Sequence, residues 1–151
     1  MARHSDITRR ILTLTLTLLI GLLVLQALGY GIGFVIDPES GAGEFATEAP
    51  SVVDDLTITL VRLAGVGMLG FAALMVLSAI LVWRRNPAGI YVAMILGGIY
   101  IAVGLSALRA GWRWDAGFYG GTGVALIVLS GAVGWLQGRS SEGPRATRAP
   151  G

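Results

Sequence analysis

The chain has 151 residues, of which 54% are apolar and only 13% are charged, and its mean hydropathy is +0.74. This composition is typical of a chain adapted to lipid, because a soluble domain of this length needs a larger charged surface. The net charge of +2 and the lack of basic runs interleaved with aromatics argue against nucleic-acid binding, and the absence of cysteine excludes disulfides, thiol redox chemistry and thiolate metal sites on this chain.

Residues 1–10 form a basic leader, and residues 11–36 form the first segment without charge. The run LTLTLTL (12–18) alternates with period two, which is typical of a half-buried strand. A helix over 11–36 would be about 39 Å long, however, which is enough to cross a hydrocarbon core of about 30 Å. The alternative is a cleaved signal peptide, but the apolar run is too long and no A-x-A site closes it at a suitable distance. We therefore predict a retained transmembrane helix.

Residues 37–56 are predicted to form an outer loop that is acidic and contains no basic residue. Three further segments have few charges and the length of a transmembrane helix, namely residues 57–83, 88–108 and 118–137. The remaining residues, 138–151, are rich in Gly, Pro, Ser and Arg and are predicted to be a disordered cytoplasmic tail.

The distribution of arginine predicts the orientation of these spans. Most arginines flank the spans on the side of the two termini, and short arginine-rich segments stay in the cytoplasm. We therefore predict an all-α membrane protein of the inner (cytoplasmic) membrane, a four-transmembrane-helix antiparallel bundle with both termini cytoplasmic.

Small residues spaced by four predict where the helices meet, because helices in lipid associate through close packing and hydrogen bonds. Such residues occur in three of the four spans. The predicted packing residues are Gly29, Gly33, Gly89, Ala93, Gly97, Gly117, Gly121 and Ala125.

Arg62 is the only charged residue inside a span, and a charge in that environment is a functional hypothesis by default. Helix geometry places it about 12 Å from the middle of its span, toward the outside. Polar residues expected at similar or somewhat greater depth are Gln26, Tyr30, Tyr100, Ser106 and Thr122. If they face inward, they form a pocket for an anion or a polar headgroup. Alternatively, Arg62 reaches the outer interface, where Asp55 neutralises it.

The segment LVRLAGVGMLGFAALMV (60–76) places an arginine before spaced glycines early in a helix. These residues are Arg62, Gly65, Gly67 and Gly70. In this pattern, in its size and in its four spans, the chain resembles the small four-helix membrane proteins of the DoxX-like group and related prokaryotic families. The resemblance implies an accessory membrane subunit, since some members of these families are linked to oxidoreductase complexes.

The spans contain no histidine, cysteine or carboxylate, and the only histidine, His4, lies in the leader. Groups for metal or haem ligation, a proton relay or a hydrolytic triad are therefore missing from the spans. We expect no enzymatic activity, metal or cofactor, and as partners the lipid bilayer and either another membrane protein or further copies of the chain. The predicted function is that of a non-enzymatic accessory subunit or homo-oligomer. The alternative is a small channel or carrier for an anion or amphiphile that uses the pocket around Arg62.

Overall fold

The computed structural model describes residues 2–45 and 55–141, and every regular element in these two ranges is an α-helix. The helices are, in chain order, α1 (Ala2–Ile36), α2 (Pro38–Phe45), α3 (Asp55–Trp83), α4 (Pro87–Arg109) and α5 (Arg113–Ser141). The alternating run 12–18 lies inside α1, which confirms the prediction of a helix over that of a strand.

Four of these helices are long and apolar enough to cross a membrane. The candidate spans are Asp6–Ile36, Asp55–Trp83, Pro87–Arg109 and Arg113–Gly138. Many large apolar side chains on them remain exposed, among them Leu18, Leu22 and Leu25 on α1. Lipid is the solvent that suits such a surface. The described residues are thus all-helical, and these four helices indicate a multi-pass membrane protein.

The helices extend beyond the predicted spans at several ends. α1 begins at Ala2 and so includes residues of the leader, and α5 runs to Ser141. Within the predicted outer loop, residues 38–45 form α2, because the Asp37 carboxylate accepts a hydrogen bond from the Ser40 N–H (3.2 Å) and Pro38 occupies the first helical position. The rest of the acidic loop, 46–54, and the end of the tail, 142–151, lie outside the described residues.

The chain divides into two compact units, which we name the α4–α5 unit (residues 1–19 and 77–151) and the α2 unit (residues 20–76). In the α2 unit, α1 and α3 approach closely at Gly31 and Gly65. A Cβ atom added to Gly65 would lie 2.9 Å from the carbonyl oxygen of Gly31. α2 packs on both helices, since a Cβ atom on Gly41 would lie 2.7 Å from the Phe34 ring and 3.1 Å from the Val61 side chain.

In the α4–α5 unit, α4 and α5 pack against each other along a seam of four glycines, Gly97, Gly104, Gly120 and Gly123. A Cβ atom on Gly97 would lie 2.8 Å from the carbonyl oxygen of Gly123, and one on Gly104 would lie 2.6 Å from the backbone nitrogen of Gly120. The two backbones therefore touch where neither carries a side chain, as is common for helices packed in lipid. We call this contact the glycine seam.

Candidate functional site

The six residues of the predicted polar pocket lie in both units. In the α2 unit, Arg62 is exposed on α3, while Gln26 is half-buried and Tyr30 is exposed on α1. Within the described residues, Arg62 forms no ion pair with Asp55. These contacts do not test the ligand pocket around Arg62, and they do not test the neutralisation of Arg62 at the outer interface. Both stay predictions.

The other three pocket residues belong to the α4–α5 unit. Tyr100 is buried and its ring lies 5.9 Å from that of Tyr119. Ser106 is exposed and donates its hydroxyl proton to the Ala102 carbonyl (3.0 Å), and Thr122 is half-buried. The hydroxyl of Ser106 thus has a partner in its own helix, as hydroxyls in lipid usually do.

The predicted packing residues fall into two groups. Gly89 and Ala93 are buried, as is Gly97, which takes part in the glycine seam. At the other glycines, an added Cβ atom would meet no atom within 4 Å, and Ala125 is half-buried. Those open glycines are Gly29, Gly33, Gly117 and Gly121.

A cleft in the α4–α5 unit joins residues that the sequence does not mark as a site. Its volume is about 360 Å³, and its polar lining comes from Arg9, Arg10 and Thr13 on α1, Arg85 after α3, and Gln137 on α5, beside Leu14 and Trp83. We call it the arginine cleft. Three arginines and no acidic residue line it, so it favours an anion.

One arginine of this cleft forms an ion pair within its own helix. The side chain of Arg9 is only 18% exposed, and its Nη2 atom lies 3.1 Å from Oδ1 of Asp6, one turn earlier on α1. Asp6 offsets part of one positive charge, while Arg10 and Arg85 are exposed. The cleft therefore keeps a net positive charge.

Arg85 has an unusual backbone conformation. The Asn86 N–H donates to the Leu81 carbonyl (2.9 Å) and the Arg85 N–H to the Val82 carbonyl (3.0 Å), which is the hydrogen-bond pattern of a Schellman motif. Its left-handed position is taken by Arg85, with φ 57°. Glycine is usual there, and another residue costs on the order of 1 kcal/mol.

The end of α4 shows the same motif with the usual residue. The Trp112 N–H donates to the Ala107 carbonyl (2.9 Å) and the Gly111 N–H to the Leu108 carbonyl (3.1 Å), and Gly111 takes the left-handed position with φ 85°. Two equivalent helix ends thus differ in one respect. The end that borders the arginine cleft carries an arginine where the other carries glycine.

A second cavity of about 560 Å³ adjoins the cleft and shares Arg85 and Gln137 with it. It runs along α4 and α5 and is mainly apolar. Its other lining residues are Pro87, Ile90, Tyr91, Met94, Gly131, Gly134, Trp135 and Gly138. We call it the α4–α5 groove.

Sequence reasoning missed the cleft because it assigned the arginines to membrane orientation alone. The three arginines come from two segments that are far apart in the chain, so no local motif unites them. In the part of the chain that the structure describes, no three His, Cys, Asp or Glu side chains come together as they would to bind a metal.

No protein-family model, curated protein or solved structure matches this chain.

Proposed function

We propose that the protein is a non-enzymatic subunit of the cytoplasmic membrane that works by association, either with another membrane protein or with further copies of itself. Its four helices would form an antiparallel bundle with both termini in the cytoplasm, because arginine is concentrated on that side. An accessory role is also what the resemblance to DoxX-like proteins implies.

The observation that carries this proposal is an open face on α5. Gly117, Gly121, Val124 and Val128 follow the spacing of one helix face, and all four are exposed. A Cβ atom on either glycine would meet no atom within 4 Å. We call these four residues the open face of α5.

Small residues on an exposed face matter in lipid, where burial of apolar surface drives little association. Helices there gain from close backbone approach, which glycine permits and larger residues prevent. The glycine seam already uses this contact inside the α4–α5 unit. The open face of α5 offers the same kind of surface to a helix from outside the chain.

The test is to replace the open glycines by leucine and to measure assembly in mild detergent. Gly117→Leu and Gly121→Leu should leave the fold intact, because the new side chains meet open space, and they should dissociate the assembly purified from native membranes. The readouts are the mass of the purified particle and the identity of proteins that stay bound.

The matched control is Gly98→Leu, since Gly98 on α4 is also exposed and open. This variant should assemble like the wild type. A wild-type protein that purifies as a monomer without a partner, or an assembly unaffected by both α5 variants, would contradict the proposal.

A further inference from the structure

We propose that the arginine cleft and the α4–α5 groove together bind one anionic phospholipid. The phosphate would lie among the arginines, and an acyl chain would follow the groove. This inference does not depend on the association through α5 proposed above, because neither cavity is lined by a residue of the open face.

The charge of the cleft selects an anion. Arg9, Arg10 and Arg85 line one space that has no carboxylate in its lining, and a guanidinium has a planar set of donors that matches phosphate oxygens. Arg9 gives one of its donors to Asp6, which leaves its other N–H groups for a ligand. Thr13 and Gln137 add uncharged hydrogen-bonding groups. A phosphodiester could thus be held from several sides.

The position of the cleft suits a lipid headgroup. It lies where α3 ends, and the exposed Trp83, the last residue of α3, forms part of its wall. Tryptophan is enriched where a membrane helix reaches the interface, at the level of the headgroups. Basic residues at this level attract anionic lipids.

The groove explains why the ligand should be a lipid rather than free phosphate. It continues from the shared residues Arg85 and Gln137 along α4 as far as Met94, which corresponds to about 10 Å of helix from Pro87. Its floor contains Gly131 and Gly134, and a Cβ atom on Gly134 would already reach 3.5 Å from Ile90. A soluble phosphate has no group to fill this apolar space, whereas an acyl chain does.

The conformation of Arg85 is independent support. The same turn at the end of α4 uses glycine, so the fold does not require an arginine at the end of α3. An unfavourable conformation is often kept at a position where the side chain serves a ligand. Arg85 is the only arginine that lines both described cavities.

The experiment measures lipid binding to the purified full-length chain by native mass spectrometry in detergent. The probes are dioleoyl phosphatidylglycerol, which is anionic, dioleoyl phosphatidylcholine, which is zwitterionic, and inorganic phosphate. We expect the wild type to bind phosphatidylglycerol at least about 10-fold more tightly than phosphatidylcholine. Phosphatidylglycerol has a net negative charge that balances the arginines, whereas the choline of phosphatidylcholine adds a positive charge beside them.

The decisive variant is Arg85→Gly, because glycine suits the left-handed position and the fold should be as stable as before or more so. Its affinity for phosphatidylglycerol should fall at least about 10-fold. The matched control is Arg84→Gln, the adjacent exposed arginine, which lines neither cavity. Its affinity should change less than about 3-fold.

A third variant, Gly134→Leu, fills the groove and should weaken binding of the lipid, while Gly98→Leu on α4, at an open glycine that lines neither cavity, should not. Equal binding of the two lipids would overturn the proposal. So would equal losses in Arg85→Gly and Arg84→Gln, which would indicate unspecific attraction. Displacement of the lipid by inorganic phosphate together with normal lipid binding by Gly134→Leu would also overturn it, and would identify a soluble phosphate as the ligand.

Discussion

Two fully buried serines of the α4–α5 unit differ in whether the hydroxyl has a hydrogen-bond partner. The Ser78 hydroxyl donates to the Gly89 carbonyl at 3.1 Å and so links the end of α3 to the start of α4. The Ser130 hydroxyl on α5 has no hydrogen-bond partner among the described atoms. A buried polar group without a partner costs free energy, whereas a satisfied one contributes modestly.

The stability of the protein should respond differently to the same substitution at these two serines. Ser78→Ala should lower the free energy of unfolding by about 1 kcal/mol, because it leaves the Gly89 carbonyl without that donor. Ser130→Ala should leave the free energy of unfolding unchanged or raise it, because it removes an unsatisfied hydroxyl. Denaturant unfolding in detergent micelles measures both, and equal losses in the two variants would contradict this account.

At the scale of elements, the sequence predicted the helices well and their contacts less well. Length and hydropathy indicate each span because lipid forces the backbone to satisfy its own hydrogen bonds. Of the four glycines in the seam, the spacing rule named Gly97 but not Gly104, Gly120 or Gly123. α5 contains glycine on several faces, and the sequence alone does not say which face meets α4.

Two glycines of α4, Gly104 in the seam and Gly98 outside it, provide a matched test of the seam. Gly104→Ala should lower the free energy of unfolding by about 1–3 kcal/mol, because the new methyl group would meet the backbone of Gly120 at 2.6 Å. Gly98→Ala should be neutral or stabilise the fold by up to about 1 kcal/mol, since its methyl group meets open space and alanine favours helix.

Thermal unfolding of the two α4 variants in the same detergent compares them directly. A Gly104→Ala protein as stable as Gly98→Ala would mean that the backbones of α4 and α5 are farther apart than the seam requires.

For the whole molecule, apolar composition predicted a multi-pass membrane protein, and the four long apolar helices agree with it. The site was harder to predict. The arginine cleft needs three segments to meet in space, and the left-handed conformation of Arg85 has no signal in the sequence RRNPAG. Arginines that orient a membrane protein and arginines that bind a headgroup look alike in a sequence, because both lie at the ends of spans.

The proposed orientation can be tested because the chain has no cysteine, so each introduced cysteine is the only one. In intact cells, a membrane-impermeant maleimide should label Glu39→Cys and Asp115→Cys, which lie on the proposed outer side. It should label Asp6→Cys and Arg84→Cys only after the membrane is opened. The reverse pattern would place both termini outside and contradict the proposed topology.

The arginine cleft has a consequence for how the protein is made. It takes Arg9 from α1 and Gln137 from α5, so both of these helices must be in the membrane before the cleft is complete. A ligand that binds only the finished fold stabilises only the finished fold. A chain without α5 would lack Gln137 and would gain no such stability from the lipid. A lipid in the cleft would thus stabilise the protein only after insertion of α1 and α5 into the membrane.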